Sequence, residues 1–409
     1  MTSIRPLKPL WLAASLALSC TLLSAPAGAQ PKVGAGQEIK LGQTMPYSGP
    51  ASAYGTIGKV EQAYFKKIND EGGVNGHKIN LITLDDGYSP PKAVEQVRKL
   101  VEQDEVLALF QTLGTPSNSA IHKYVNGKKV PHLFVATGAT KWNDPKAYPW
   151  TFGFNLSYQT EGEIYARYLL KNKPNAKIAI LYQNDDYGKD VLKGVKDVLS
   201  GPNAKMIVAE ATYEVTDPTV DSQILTLKAS GADTFINITT PKFAAQAIRK
   251  VFDSGWKPLH FVNNVGASVG SVLTPAGLDK SVDLITVQYY KDATDPQWKD
   301  DPAMLEWRAF MARYYREGNV EDASNVYGYI AAQTMVQVLK QCGNDLSREN
   351  IKRQAENLKN FKQSLLLPGI TLNTGPSDHA PVEQAQLSKF DGKKWALFGE
   401  VLGSAAKSQ

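Results

Sequence analysis

Residues 39–86 read IKLGQTMPYSGPASAYGTIGKVEQAYFKKINDEGGVNGHKINLITLDD, and the alternation inside this stretch decides the fold. Residues 39–43 have the composition of a short strand. A polar loop follows, and from about Tyr54 a helix is predicted, because Ile57, Val60, Tyr64 and Ile68 recur on one face until Gly72-Gly73 stops it. Residues 79–84 are a second strand. The pattern then repeats: a helix after Pro90-Pro91 carries Val94, Val97 and Val101, a strand covers 106–110, a helix begins near Pro116 and a strand covers 130–135. Apolar strands alternating with amphipathic helices predict a parallel sheet covered on both faces.

Further along, the same alternation starts again. Strands are predicted at 177–182, 205–209, 234–238 and 259–262, with helices at 187–199, 220–229 and 244–252 between them. Two similar Rossmann-like α/β lobes in series account for this restart; one long doubly wound sheet is the alternative, since sheets of that size exist. The 409 residues fit two domains or a little more. Helices are expected at 303–316 and 323–339, and strands at 370–372, 386–390 and 395–401, with a turn at Asp391-Gly392. Nothing reads as a long flexible linker, so the chain is expected to pass between the lobes several times and make a hinge.

The first residues hold Arg5 and Lys8, an apolar run at 10–23, and Ala27-Gly28-Ala29. That order predicts a secretory signal peptide over 1–29, cut near Ala29. The run is shorter than the roughly 20 apolar residues a membrane span needs. Leu18-Ser19 before Cys20 is a poor context for lipidation. Without its two leader bases the formal charge of +5 becomes 43 bases against 40 acids, or +3, too mild for a nucleic-acid or membrane-surface partner. The mature chain keeps one cysteine, Cys342, which ends an apolar helix and is expected to be a buried, inert thiol.

Catalytic constellations are missing from the sequence. Gly55 to Lys59 imitates part of a phosphate loop, but Val60 stands where a serine or threonine is needed. No H-E-x-x-H, C-x-x-C or G-x-S-x-G occurs, and His77, His122, His132, His260 and His379 show no metal-ligand spacing. These histidines are expected at the surface or at strand edges. Asp85-Asp86 reads as a loop cap and Lys128-Lys129 as a solvated turn. The expectation is a binding protein without cofactor or metal, not an enzyme.

Open parallel sheets bind ligands beyond the carboxyl ends of their strands. The loops there, 46–53, 112–115, 136–140, 184–187, 239–240 and 263–268, are rich in small and hydroxylated residues. Gly114-Thr115-Pro116 reads as a helix start with Thr115 as its N-cap and free N–H groups on Ser117 and Asn118, suited to a carboxylate.

These loops carry a resemblance. Pro46-Tyr-Ser-Gly-Pro-Ala-Ser-Ala-Tyr-Gly55 and Ile68-Asn-Asp-Glu-Gly-Gly-Val-Asn-Gly76, within 39–86, resemble the leucine/isoleucine/valine-binding protein family of ABC importers, and the likeness covers nearly the whole mature chain. The resemblance implies a type I periplasmic binding fold, with a ligand held between two lobes joined by three crossover strands. The lobes would be 37–156 with 288–370, and 157–287 with 371–409. It implies that Gly114 and Thr115 hold a ligand carboxylate, that Gly138, Ala139 and Thr140 add donors, and that Tyr54 and Tyr187 line the cleft. Thr239, Thr240, Asn263 and Asn264 would hydrogen-bond a ring hydroxyl or cap helices.

One position departs from the family pattern. The acid that pairs with a ligand ammonium is replaced at Asn263-Asn264-Val265-Gly266, with Val265 at the matching place, and no acid lies between His260 and Asp279. An unpaired buried ammonium is costly. The ligand is therefore expected to be a small organic carboxylate without an amino group, and the pattern looks like the branch that takes up benzoates or hydroxycinnamates, whose flat ring suits Tyr54 and Tyr187. The expected partner is an ABC permease in the inner membrane, and the chain is expected to be a periplasmic monomer. Alternatives are a receptor for a branched-chain or other hydrophobic amino acid and a soluble chemosensory binding protein; a sensor ectodomain is expected to add a membrane span and a signalling domain, which do not appear through Gln409.

Overall fold

The computed structural model describes residues 1–2, 33–34 and 36–404. The apolar leader run, its cleavage site and Cys20 fall outside the described residues. Among the described residues no helix is long and apolar enough to cross a membrane.

The first series comprises β1 (Ile39–Met45), α1 (Gly55–Asp70), β2 (Ile79–Asp85), α2 (Pro90–Glu102), β3 (Ala108–Phe110), α3 (Thr115–Gly127), β4 (His132–Val135) and β5 (Thr151–Gly153). Its strands form one parallel sheet in the order β2-β1-β3-β4-β5. A second series follows: α4 (Tyr158–Asn172), β6 (Ile178–Gln183), α5 (Asp186–Val198), β7 (Ile207–Tyr213), α6 (Asp221–Ala229), β8 (Thr234–Ile238), α7 (Pro241–Asp253), β9 (Leu259–Val262), the short α8 (Thr274–Ala276) and β10 (Ile285–Gln288). After the helices α9 (Pro302–Tyr314), α10 (Ala323–Cys342) and α11 (Arg348–Ala355), the chain ends in a hairpin of β11 (Gln384–Phe390) and β12 (Trp395–Gly403). The second sheet runs β12-β11-β10-β9-β8-β6-β7, parallel from β7 to β10 and antiparallel at its β11-β12 edge. Two sheets, not one long one, therefore carry the alternation, and β8 is buried along its whole length, as a strand covered on both faces must be.

Passage between the sheets occurs three times. The chain leaves the first sheet after β5 and leaves the second after β10, where α9 and α10 pack on α1. It returns before β11. Residues 372–379 still belong with the first sheet: Leu372 bridges Phe361, Thr374 Oγ1 donates to the Ala355 carbonyl at 2.6 Å, and the His379 ring stacks on Phe152 at 3.7 Å. The return therefore lies near Gln384 and not at residue 371, and the strand expected at 370–372 is a single bridge. Likewise 201–206 coils as a 3-10 turn, which moves the predicted 205–209 strand to β7.

All five histidines are buried, with exposures of 8% or less, which corrects their placement at the surface. Burial holds His122 down at about 4 and His260 at about 3, so both are neutral at pH 7. His132 braces the loop after β3 instead, its Nε2 lying 2.6 Å from Thr112 Oγ1 and 3.0 Å from Asn118 Oδ1. Cys342 is buried, and burial pushes its thiol up to about 12. Lys128 and Lys129 are exposed, and Asp85 caps its turn by accepting from the backbone N–H groups of Tyr47, Ser48 and Gly87 at 2.9–3.1 Å.

Candidate functional site

The loops leaving the carboxyl ends of β3, β8, β9 and β10, with the turn before α1 and the starts of α5 and α10, line one cavity. It encloses about 810 Å³ of atom-free space, a figure that includes open solvent at its mouth. From the first sheet come Gly114 and Thr115. Gly114 has φ +98°, and a Cβ there would sit 2.6 Å from the Tyr88 ring, so only glycine lets that ring lie against the loop. Gly114 is the N-cap, and Thr115 is the first helical residue with a proline inside the first turn; its Oγ1 lies 2.6 Å from Thr137 Oγ1. The expected N-cap role for Thr115 is thus shifted by one residue, and the Asn118 N–H is already bonded to the Gly114 carbonyl at 3.0 Å. First-turn N–H groups lack intrahelical acceptors, which leaves those of Thr115 and Ser117 for an anion at this end.

Tyr54, in the 3-10 turn Ser52–Tyr54, crosses the cleft: its hydroxyl donates to the Val265 carbonyl at 2.9 Å. On the other side, Asp185 caps α5 by accepting from the Tyr187 and Gly188 N–H groups at 3.0 and 3.1 Å. That cap aims Tyr187 inward, where its hydroxyl donates to Asn263 Oδ1 at 3.0 Å and its ring tilts against Tyr158 at 5.0 Å. Thr240 lines the wall, with its N–H donating to the Tyr213 hydroxyl at 3.0 Å. The Asn264 N–H donates to Glu161 Oε1 at 2.6 Å, and burial pushes Glu161 up to about 7. Val265 completes this group of expected residues on the wall.

Five expected residues do not line the cavity, Asn263, which accepts from Tyr187, among them. Gly138 is pressed against the Leu156 carbonyl and the Tyr158 ring, and its own carbonyl accepts from the Tyr158 N–H at 2.8 Å. Ala139 is buried beside it, and Thr239 turns its hydroxyl to Asn237 Oδ1 at 2.6 Å. Thr140 is taken by a different anion: its N–H and Oγ1 donate to Asp190 Oδ2 at 2.7 and 2.8 Å. Both Thr140 donors are therefore occupied by a side chain of α5.

Conversely, the structure adds residues that the sequence reading did not single out. Tyr88, Tyr158, Tyr289, Tyr290 and Tyr327 join Tyr54 and Tyr187 on the wall, making seven tyrosines. Tyr327 donates to Asn155 Oδ1 at 2.6 Å. Ser268 also lines the wall and donates to Asp322 Oδ1 at 2.9 Å. Asp292, 3% exposed, is an acid facing the cavity, and burial raises it above the ordinary carboxylate range. An acid therefore does line the cavity, from the crossover after β10 and not from the loop after β9, where the sequence reading looked for it. The strand-end rule applied to β10 points to the segment Tyr289-Tyr290-Lys291-Asp292. Among the described residues no cluster of three or more His, Cys, Asp or Glu is arranged to hold a metal ion.

A family model described as periplasmic binding protein matches residues 38–394. The Leu/Ile/Val-binding protein homolog 7 of Brucella suis biovar 1 (strain 1330) is 25% identical over 334 residues, 79% of this chain and 81% of the relative. Homolog 1 of Brucella abortus (strain 2308) is 26% identical over 325 residues, 78% of this chain and 82% of the relative. Among solved structures, a branched chain amino acid ABC transporter from Thermus thermophilus with bound valine superposes with a TM-score of 0.82 at 16% identity, covering 91% of this chain and 98% of its own. A fatty acid ABC transporter substrate-binding protein from Thermomonospora curvata gives 0.76 at 21%, covering 91% and 94%. At these identities the structural likeness shows the fold alone.

Proposed function

The chain belongs to the periplasmic binding protein family, and from that membership we propose that it is the solute receptor of an ABC importer of the branched-chain amino acid type. It would work in the periplasm after loss of a leader near Ala29, as a monomer, handing its solute unchanged to an inner-membrane permease. The observation that carries the reading is the cavity itself: a helix start at Thr115 for a carboxylate, within a wall of seven tyrosines for an apolar body. In this reading the lobes are 37–156 with 288–383 and 157–287 with 384–403, and the solute is held where they meet.

For the solute we propose first a hydrophobic amino acid. The names of the Brucella relatives favour it, and Asp292 removes the objection that a buried ammonium would stand unpaired. An aromatic carboxylate is the second reading, favoured by the tyrosines, whose faces suit a flat ring. Thermal-shift and calorimetric titration of the mature chain with leucine, valine, phenylalanine, benzoate and 4-hydroxycinnamate tests both. A true ligand at about 100 times its dissociation constant adds roughly 2.7 kcal/mol of stability. Failure of every small acid to shift the transition sinks the carboxylate reading.

A further inference from the structure

The segment leaving β10 presents more hydrogen-bonding capacity to the cavity than the protein uses. Tyr289 is 1% exposed, lies on the cavity wall, and its hydroxyl has no hydrogen-bond partner. Burying an unpaired hydroxyl is unfavourable, so its retention asks for a partner from outside the chain. Three residues on, Asp292 lines the same cavity. Its Oδ1 accepts from the Thr294 N–H at 2.7 Å and from Thr294 Oγ1 at 2.6 Å, which accounts for a turn. Its Oδ2 meets only Gln288 Nε2, at 3.5 Å. Among the described residues no lysine, arginine or histidine stands on the cavity wall, and the neighbouring Lys291 is committed to Asp301 at 2.7 Å. Two residues of the cavity wall thus keep hydrogen-bonding capacity that the protein does not use, one at a carboxylate oxygen and one at a hydroxyl.

Resting on the reading that a carboxylate is held at Thr115, we infer that Tyr289 and Asp292 form a second polar subsite, for a hydrogen-bond-donating group of the solute. The ammonium of an amino acid and the ring hydroxyl of a hydroxylated aromatic acid are the two chemistries that fit. The solute's N–H or O–H donates a hydrogen bond to Asp292 Oδ2, and the Tyr289 hydroxyl completes its coordination. A solute bearing a carboxylate and nothing else leaves both groups unpaired and brings a second anion into the cavity beside Asp292. The subsite therefore rejects simple fatty and aromatic acids of the same shape.

Matched pairs differing only in the donor test this: leucine against 4-methylpentanoate, and 4-hydroxycinnamate against cinnamate, titrated calorimetrically into the mature chain. In whichever pair binds, the donor-bearing member is expected to bind about 10- to 100-fold tighter. Asp292→Asn is expected to collapse that ratio without weakening the donor-free member, and Tyr289→Phe, which keeps the ring, to reduce it. Equal affinities within the pairs, a ratio untouched by both variants, or an Asp292→Asn variant that weakens both members alike overturns the subsite. If no member of either pair binds, the carboxylate reading itself falls, and the subsite with it.

Discussion

A threonine hydroxyl has one proton and two lone pairs, and at Thr115 only part of that capacity goes to Thr137, 2.6 Å away. The remainder, with the first-turn N–H, faces the cavity. Thr140 offers the same chemistry, yet both of its donors end on the Asp190 carboxylate. The two threonines therefore differ in role although the local sequence makes them look alike. Thr115→Val is expected to weaken ligand binding by about 1 to 3 kcal/mol, the loss of a hydrogen bond to a charged group. Thr140→Val is expected to weaken it less, because it loosens a contact between lobes and removes nothing that touches the ligand. Calorimetry on both variants with the same ligand checks the order; a larger loss at Thr140 would show that its donors reach the ligand, as the sequence reading expected.

Helix α5 carries Tyr187 into the cavity and pairs its Asp186 and Asp190 with Lys141 and Thr140, so its seat decides where Tyr187 lies. That seat is backbone on backbone. A Cβ at Gly194 would lie 2.1 Å from the Gln159 carbonyl, and one at Gly162 would lie 2.3 Å from the Val191 carbonyl, and neither backbone atom has room to yield. Gly194→Ala is therefore expected to push α5 off α4, lowering stability by roughly 1 to 3 kcal/mol as other overpacked positions do, and to weaken binding through Tyr187. A denaturant midpoint unchanged from the natural chain would show that the helices separate without cost. Elements whose burial is regular were legible in the sequence: β8 follows from its largely apolar residues and α1 from a helical stripe. Others were not. In β10, Thr286 and Gln288 are buried polar residues inside a strand of four, which hides its apolar character, and Asp292 beyond it was missed for the same reason. The strand read at 370–372 shows the converse, since its apolar residues fill a loop packed on the first sheet.

Beyond ligand contacts, several bonds join the two lobes. Tyr54 reaches Val265, Ser268 reaches Asp322, Thr140 reaches Asp190, and Lys141 pairs with Asp186 at 2.5 Å. Whether they close the molecule by themselves is a matter of magnitude. The Lys141–Asp186 side chains are 37% and 61% exposed, and exposed pairs contribute at most about 1 kcal/mol. Such a latch biases closure without completing it, because a few bonds of this size must offset water's competing bonds to the open lobes. Under the proposed function, a solute touching Thr115 on one lobe and Tyr187 on the other would add the differential contacts that shift the population. The radius of gyration in solution scattering is therefore expected to fall on saturation with ligand. Lys141→Ala is expected to raise the ligand-free radius slightly and to lower affinity by no more than about fivefold, the factor that 1 kcal/mol allows. Tyr187→Ala is expected to lower affinity further and to leave the protein more open at the same ligand concentration, since it removes a wall that the closed form alone completes. If scattering is unchanged by ligand and by both variants, closure is not the response to binding, and distance labels on the two lobes would then report a fixed separation in every state.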